Sequence, residues 1–298
     1  MLGRLLTSII NGLLASDEAD HLTVLATVSD KNSIQRVLNN LNRPDHVTTD
    51  TSRLQVYNYT YSPYCIVNAD VTILGVPPTE YEEVLHDVGV INALQGKVLI
   101  SVLGGVSSGK IDDAIRKTPH CTEEYNSDPA VILRAMPSTA ASIGESFTLV
   151  EDIISDTSES YFPQPSVDRK QYAVDLSSRI FSLVGCPRQA KSDAINASSA
   201  IVGSGPAFFA KLIRPAADAL VEQGVEEGMA LEMLSAVMIG TGALVKSGKS
   251  PEHIVERVTS PGDSTAKGLA VLDEKGVVGG MREAVATTAS AAASFGSK

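Results

Sequence analysis

Tryptophan is absent from this chain of 298 residues, and aromatic residues of all kinds make up only 5% of it. Its core must therefore be packed mostly from aliphatic side chains, which a hydrophobic share of 43% can supply. Cysteine is scarce too. Cys65, Cys121 and Cys186 are odd in number, far apart and outside any metal-ligand spacing. That pattern fits buried, inert thiols in a reducing, cytoplasmic compartment and not a disulfide framework. The five histidines form no HxH or HxxxH pair, so no metal site is expected. Positive charge is also in short supply: 24 Lys and Arg against 35 Asp and Glu leave a net charge of −11, with no basic run. Nucleic acid and anionic membrane are therefore not expected as partners. No segment reads as the ~20 consecutive apolar residues of a membrane span.

What is present is alternation. The opening "MLGRLLTSIINGLLAS" resembles a signal peptide at first sight, but Leu2, Leu5, Leu6, Ile9, Ile10, Leu13 and Leu14 recur at spacings of three and four. That is one face of an amphipathic helix. Strand signals follow at "HLTVLATV", "ADVTILGV", "GKVLISVLGGV" and "AVILRAM". Helical spacing separates them at "NSIQRVLNNL", "YEEVLHDVGVINAL" and "KIDDAIRK". Near-continuous apolar strands alternating with helices predict a mostly parallel, Rossmann-like sheet covered on both faces. An acidic, Ser- and Pro-punctuated stretch, residues 151–170, reads as an exposed insertion, because "QYAVDLSSRIFSLVG" resumes a helix.

From Asp193 onward the chain is almost all helix formers. The expected organisation is thus a dinucleotide-binding α/β domain over residues 1–192 and an all-α domain over 193–298. Pro206, after Gly203-Ser204-Gly205, is expected at a helix start, and Pro215 is expected to kink the same helix. Ligands of such sheets bind off the carboxyl ends of the strands. The turns Gly75-Val76-Pro77-Pro78 and Val102-Leu103-Gly104-Gly105 are therefore candidate cofactor contacts, or simply places where the chain turns. The segment "VTSPGDSTAKGL" gathers hydroxyls and free backbone N–H groups at one helix entrance. It is either a well-capped turn or a receiver for an anion.

Three segments together, "MLGRLL", "VGSGPAFF" (Val202–Phe209) and "VTSPGDSTAKGLAVLDEKG" (Val258–Gly276), resemble the pyrroline-5-carboxylate reductase family. The resemblance spans the chain and is strongest over Asp193–Gly280. It implies reduction of a five-membered cyclic imine carboxylate, or a methylated analogue, to a proline by NAD(P)H. It implies an oxidoreductase of proline biosynthesis or of a specialised route, assembled as a homodimer or larger homo-oligomer through its C-terminal helices. By the same resemblance Val258, Ser260, Asp263, Ser264 and Thr265 form the substrate loop, backbone N–H groups hold the carboxylate, and Thr265 bonds the ring nitrogen. Leu2 and Gly3 match the end of a G-x-G-x-x-G motif. Its first strand and first two glycines are expected about ten residues upstream of Met1, or are missing from the domain. Ser29, with Lys31 nearby and Asp30 one residue past the strand tip, favours NADPH over NADH.

The departures are local. Val76-Pro77-Pro78 stands where the family has Val-Lys-Pro, and Ser138 where it has Asn. Asp263 stands for the loop's second glycine, and Arg214-Pro215 for Glu-Ala. Asp263 is expected to tolerate a left-handed turn and to repel an anionic substrate unless it faces away. Two other readings compete. One is a dimerising, non-catalytic paralogue; the other is a β-hydroxyacid dehydrogenase using Lys211, for which the Ser-Pro-Gly loop is not expected.

Overall fold

The computed structural model describes residues 3–29, 53–155 and 162–295. The helix expected at "NSIQRVLNNL" lies outside the described residues, as do Leu2, Asp30 and Lys31. The chain forms two compact units. One comprises the chain up to Gly203 together with the chain from Ala289 on, and the other is Ser204–Thr288.

The first unit opens with the expected amphipathic helix, α1 (Arg4–Ala15), followed by β1 (Val24–Val28) and β2 (Leu54–Asn58). Then come α2 (Ser62–Val67), β3 (Val71–Leu74), α3 (Tyr81–Leu85), α4 (Val88–Leu94) and β4 (Val98–Ser101). The unit continues through α5 (Ser108–Arg116), α6 (Glu123–Ser127), β5 (Val131–Met136), β6 (Ser146–Glu151), α7 (Val167–Ser182) and β7 (Gly185–Ala190). The stretch "YEEVLHDVGVINAL" is thus two helices, not one. The carboxylate of Asp87 accepts the N–H groups of Gly89 at 2.8 Å and Val90 at 3.1 Å, which stops one helix and caps the next.

The strands order as β3-β4-β5-β6-β7, parallel except for the antiparallel β5–β6 pair. β1 and β2 form a separate parallel ladder. The expectation of a mostly parallel sheet holds, but hydrogen bonding divides it into two ladders. α1 packs on both. Its Ile9 and Leu13 enter the core with Val98, Ile100, Val131 and Leu133, while Ile10 and Leu14 pack on Ala26, Val28 and Leu54. A helix whose apolar stripe is wide enough can serve two surfaces, and burial of these four aliphatic side chains supplies about 6–12 kcal/mol of gross stabilisation. β2, β6 and β7 escape a reading by pattern because their sequences, "LQVYN", "SFTLVE" and "GCPRQA", are short and partly polar.

α8 (Ser192–Glu222) carries both Pro206 and Pro215 inside it, so Pro206 does not start a helix. The helix continues through it with small residues, Gly203, Ser204 and Gly205, in the preceding turn. α9 (Glu227–Lys246), α10 (Pro251–Val258), α11 (Ser264–Glu274) and α12 (Val277–Phe295) complete the chain. The helical unit buries little of itself: Val237 is 65% exposed and Ile239 74%. α9 corrects one expectation. It has 20 residues, and 18 consecutive ones average a hydropathy of 1.6, so by length and composition alone it is long and apolar enough to cross a membrane.

Candidate active site

One candidate region is built at one end of the α/β unit. Gly3 is the N-cap of α1, no side chain caps that helix end, and its first turn holds no acidic residue. A Cβ placed on Gly3 would lie 3.9 Å from the carbonyl oxygen of Gly75, the residue that leaves β3. The positive end of α1 therefore meets the carboxyl end of β3. Gly75 is required for this approach, because a Cβ there would fall 2.5 Å from Cγ and Cδ1 of Leu6. Val102 donates its N–H to the carbonyl of Leu74 at 2.9 Å, which draws the exit of β4 alongside. Val102 and Leu103 are buried, and the Leu103 N–H is held by Ser101 Oγ at 3.3 Å. At Gly104 a side chain would meet nothing within 4 Å, so its surroundings are open.

The structure thus brings Gly3, Gly75, Val102, Leu103 and Gly104 to one strand-end region. Val76 instead packs into the apolar cluster around Leu85, and Pro77 accepts the N–H of Glu80 in the following turn, which also contains Pro78. Ser29 is exposed at the carboxyl end of β1. Free N–H groups at a helix N-terminus, with glycines allowing close backbone approach, suit a phosphate group. The residues present fit the pyrophosphate of a dinucleotide.

Arg53, which the sequence reading did not single out, fixes the direction of this end. It donates to the carbonyls of Leu13 and Ala19 at 3.1 and 2.5 Å and pairs with Asp20 at 3.0 Å. A cation on the last carbonyls of a helix complements its dipole. Its place immediately before β2 was the available signal. Arg134, which opens the segment containing Ser138, is 1% exposed and bonds Glu151, Asn196 and Ser192. Ser138 is buried, with its N–H on Ser146 Oγ at 2.9 Å. Arg214 is satisfied by Asp218 and Glu227, and these two carboxylates hold its guanidinium more firmly protonated than usual.

A second, separate candidate region lies in the helical unit, between α10 and α11. Gly262 takes the left-handed turn at φ +81°, while Asp263 is extended at φ −72°. The expectation of a left-handed Asp263 is therefore corrected: the glycine before it absorbs the strain. Nor does the carboxylate of Asp263 face away from the loop's donors. Its Oδ1 accepts the N–H of Ala266 at 2.7 Å and its Oδ2 that of Ser260 at 2.6 Å. Those N–H groups, Ala266 first, hold its pKa below the usual carboxylate value. The hydroxyls of Ser264 and Thr265 have no hydrogen-bond partner among the described residues, and Val258 is 60% exposed. A self-capping Asp three residues before Ala266 was legible as an N-cap pattern.

Comparison with known proteins gives matches to both regions. Residues 192–295 match a family model described as pyrroline-5-carboxylate reductase dimerisation, and residues 2–105 one described as NADP oxidoreductase, coenzyme F420-dependent. A pyrroline-5-carboxylate reductase of Lophium arboricola is 36% identical over 73% of this chain, and the match spans 64% of that relative, just under two thirds. One of a Synechocystis species is 30% identical, covering 73% of this chain and 72% of the other. A Plasmodium falciparum pyrroline carboxylate reductase, solved with NADP bound, shares the fold at a TM-score of 0.75 and 19% identity, over 99% of this chain and 96% of that one.

Proposed function

This chain belongs to the pyrroline-5-carboxylate reductase family, and from that premise we propose that it reduces the C=N bond of a five-membered cyclic imine carboxylate to a proline. Pyrroline-5-carboxylate, or an analogue with a substituted ring, is the substrate class. The observation that carries the reading is the approach of the uncapped N-terminus of α1, at Gly3, to Gly75 at the end of β3. In this reading the first-turn N–H groups of α1 hold the pyrophosphate, with Gly75 and the Val102–Gly104 turn beside it. NADPH, when bound, supplies the hydride.

The chain's own residues then position the imine. The hydroxyl of Thr265 accepts the N–H of the protonated ring nitrogen, and Ser264 offers a hydroxyl and a backbone N–H to the ring carboxylate. A protonated imine is already electrophilic, so orientation supplies most of the acceleration and no acid–base dyad is needed. Asp263 weakens the hold on a carboxylate, because it sits on two donors of the same loop. NADPH is preferred to NADH, since the residue after β1 is Ser29 and not an acid.

The protein is proposed to act as a homodimer through its C-terminal helices. The support is the match of 192–295 to a dimerisation model and the exposed apolar side chains of α9. Light scattering should give twice the chain mass, and Ile239→Glu should shift it toward the monomer.

The test of the activity is consumption of NADPH on adding pyrroline-5-carboxylate. Turnover is expected, with Thr265→Val lowering kcat on the order of tenfold to a hundredfold through loss of one positioning hydrogen bond. A dimer that neither binds NADPH nor consumes it would overturn the reading and leave a non-catalytic relative.

A further inference from the structure

Four of the chain's eight tyrosines, Tyr57, Tyr59, Tyr61 and Tyr64, fall within eight residues. They run from β2 through a turn, Tyr59–Tyr61, into α2. The ring of Tyr57 stands 5.8 Å from that of Tyr61 and 5.9 Å from that of Tyr64. Tyr59 is nevertheless 60% exposed and Tyr61 54%. Single exposed aromatics need no explanation, but a contiguous cluster of them marks a surface meant to be covered.

Its place in the fold says by what. β1 and β2 pair in parallel with Val28 opposite Asn58, so Ser29 and Tyr59 leave the ladder together at its carboxyl end. Ser62 Oγ, one residue past Tyr61, bonds Thr27 Oγ1 at 3.3 Å and holds the start of α2 against β1. Arg53, at the opposite end of β2, lies on the carbonyls of Leu13 and Leu14, at the C-terminus of α1. The carboxyl ends of β1 and β2 therefore point toward the N-terminus of α1, where Gly3 meets Gly75. The tyrosines lie at the same end of the strands as the phosphate-suited helix end, on the β2 side.

We propose that Tyr59 and Tyr61 form the platform on which the adenine ring of the dinucleotide stacks. The inference rests on the cofactor reading above and adds a residue pair to it. An aromatic face binds a base without needing a hydrogen-bond code, and it fits here beside Ser29 at the end of β1. Tyr57 supports the ring of Tyr61 and is itself in contact with Tyr64.

Absence of tryptophan supplies the readout, because all intrinsic emission comes from tyrosine and half of the tyrosines sit in this cluster. The probe is 2′,5′-ADP, the adenosine half of the cofactor, titrated beside NADPH and nicotinamide mononucleotide. Expected are quenching of wild-type emission by 2′,5′-ADP and about tenfold weaker binding of 2′,5′-ADP and NADPH to Tyr59→Ala/Tyr61→Ala. Nicotinamide mononucleotide affinity and thermal unfolding should not change. Tyr59→Phe/Tyr61→Phe should keep wild-type affinity, since stacking uses the ring. If NADPH binds the alanine variant as tightly as the wild type, the platform is wrong and the cofactor reading survives. If the phenylalanine variant loses as much as the alanine one, the hydroxyls and not the faces do the binding, and stacking is overturned. If NADPH binds neither protein at millimolar concentration, the cofactor reading falls and this inference with it.

Discussion

The carboxylate of Asp263 accepts the backbone N–H of Ser260 at 2.6 Å while also capping α11 through Ala266. The loop thus brings its own anion to donors that, in the proposed reading, would hold the substrate carboxylate. On that proposal, stability of the turn and affinity for a carboxylate are set against each other at one residue. The cap is local chemistry, and its functional weight comes from the loop in which it sits.

Replacing that residue should separate the two effects. In Asp263→Gly the Ser260 and Ala266 donors are freed and the negative charge is gone. The KM for pyrroline-5-carboxylate should fall on the order of tenfold, comparable to one charge-assisted hydrogen bond, with kcat changed much less. Steady-state kinetics decide the matter: an unchanged or higher KM means the loop does not receive the carboxylate.

Acid should act on three carboxylates, two of them helix caps (Glu226 and Asp263) and one, Asp152, the holder of a bend. Asp152 is held low chiefly by the hydroxyl of Ser155, Glu226 by the N–H groups of Gly228 and Met229, and Asp263 by Ala266 and Ser260. Each is depressed below its ordinary value of 3.8 or 4.5. Their contributions are therefore complete above the unfolded values and are lost as pH falls through the lower folded ones. Asp112, raised by burial beyond what Arg116 offsets, works in the opposite sense. Melting curves should show Asp152→Asn/Glu226→Gln/Asp263→Asn losing less Tm than the wild type as pH drops below about 4.5. Parallel curves would rule these carboxylates out.

Gly75→Ala tests the approach of α1 to β3. The added methyl falls on Leu6, so the helix end must shift away from the strand end. We expect a folded protein destabilised by about 1–3 kcal/mol and NADPH affinity reduced by more than tenfold, the loss of about one phosphate-directed N–H contact or more. Titration and urea unfolding report the two separately. Wild-type affinity in a destabilised variant would remove Gly75 from the cofactor site.

Arg134 and Glu151 form a buried pair, 1% and 2% exposed, that ties β5 and β6 to the start of α8 through Asn196 and Ser192. Arg134→Met strands the Glu151 carboxylate and should cost about 3–5 kcal/mol in urea unfolding. Arg134→Met/Glu151→Leu should recover much of that loss, since no buried charge then remains unpaired. Equal losses in both variants would show that the bonds to Asn196 and Ser192, not the pair, carry the stability.

Much of the scaffold was legible in the chain. "VLIS" and "VILRAM" read as buried parallel strands because every position but Arg134 is apolar or small, and α1 was legible from its spacing of three and four. The loop proposed to receive the substrate was visible as a run of turn formers before a helix. The break between α3 and α4 was hidden because apolar periodicity continues across it and only the side chain of Asp87 interrupts it. β7 was hidden by Pro187 and by polar residues that an edge strand tolerates.

By itself, then, the sequence determined the local elements, the α/β-then-helical order and the motifs that mark the family, because periodicity and turn chemistry act within a few residues. Tertiary structure alone decided which distant groups meet. Gly3 reaches Gly75 across 71 intervening residues, Arg53 closes the end of α1, and strand register carries Tyr59 out beside Ser29. Such pairings depend on packing and on strand order, and neither leaves a period in the chain.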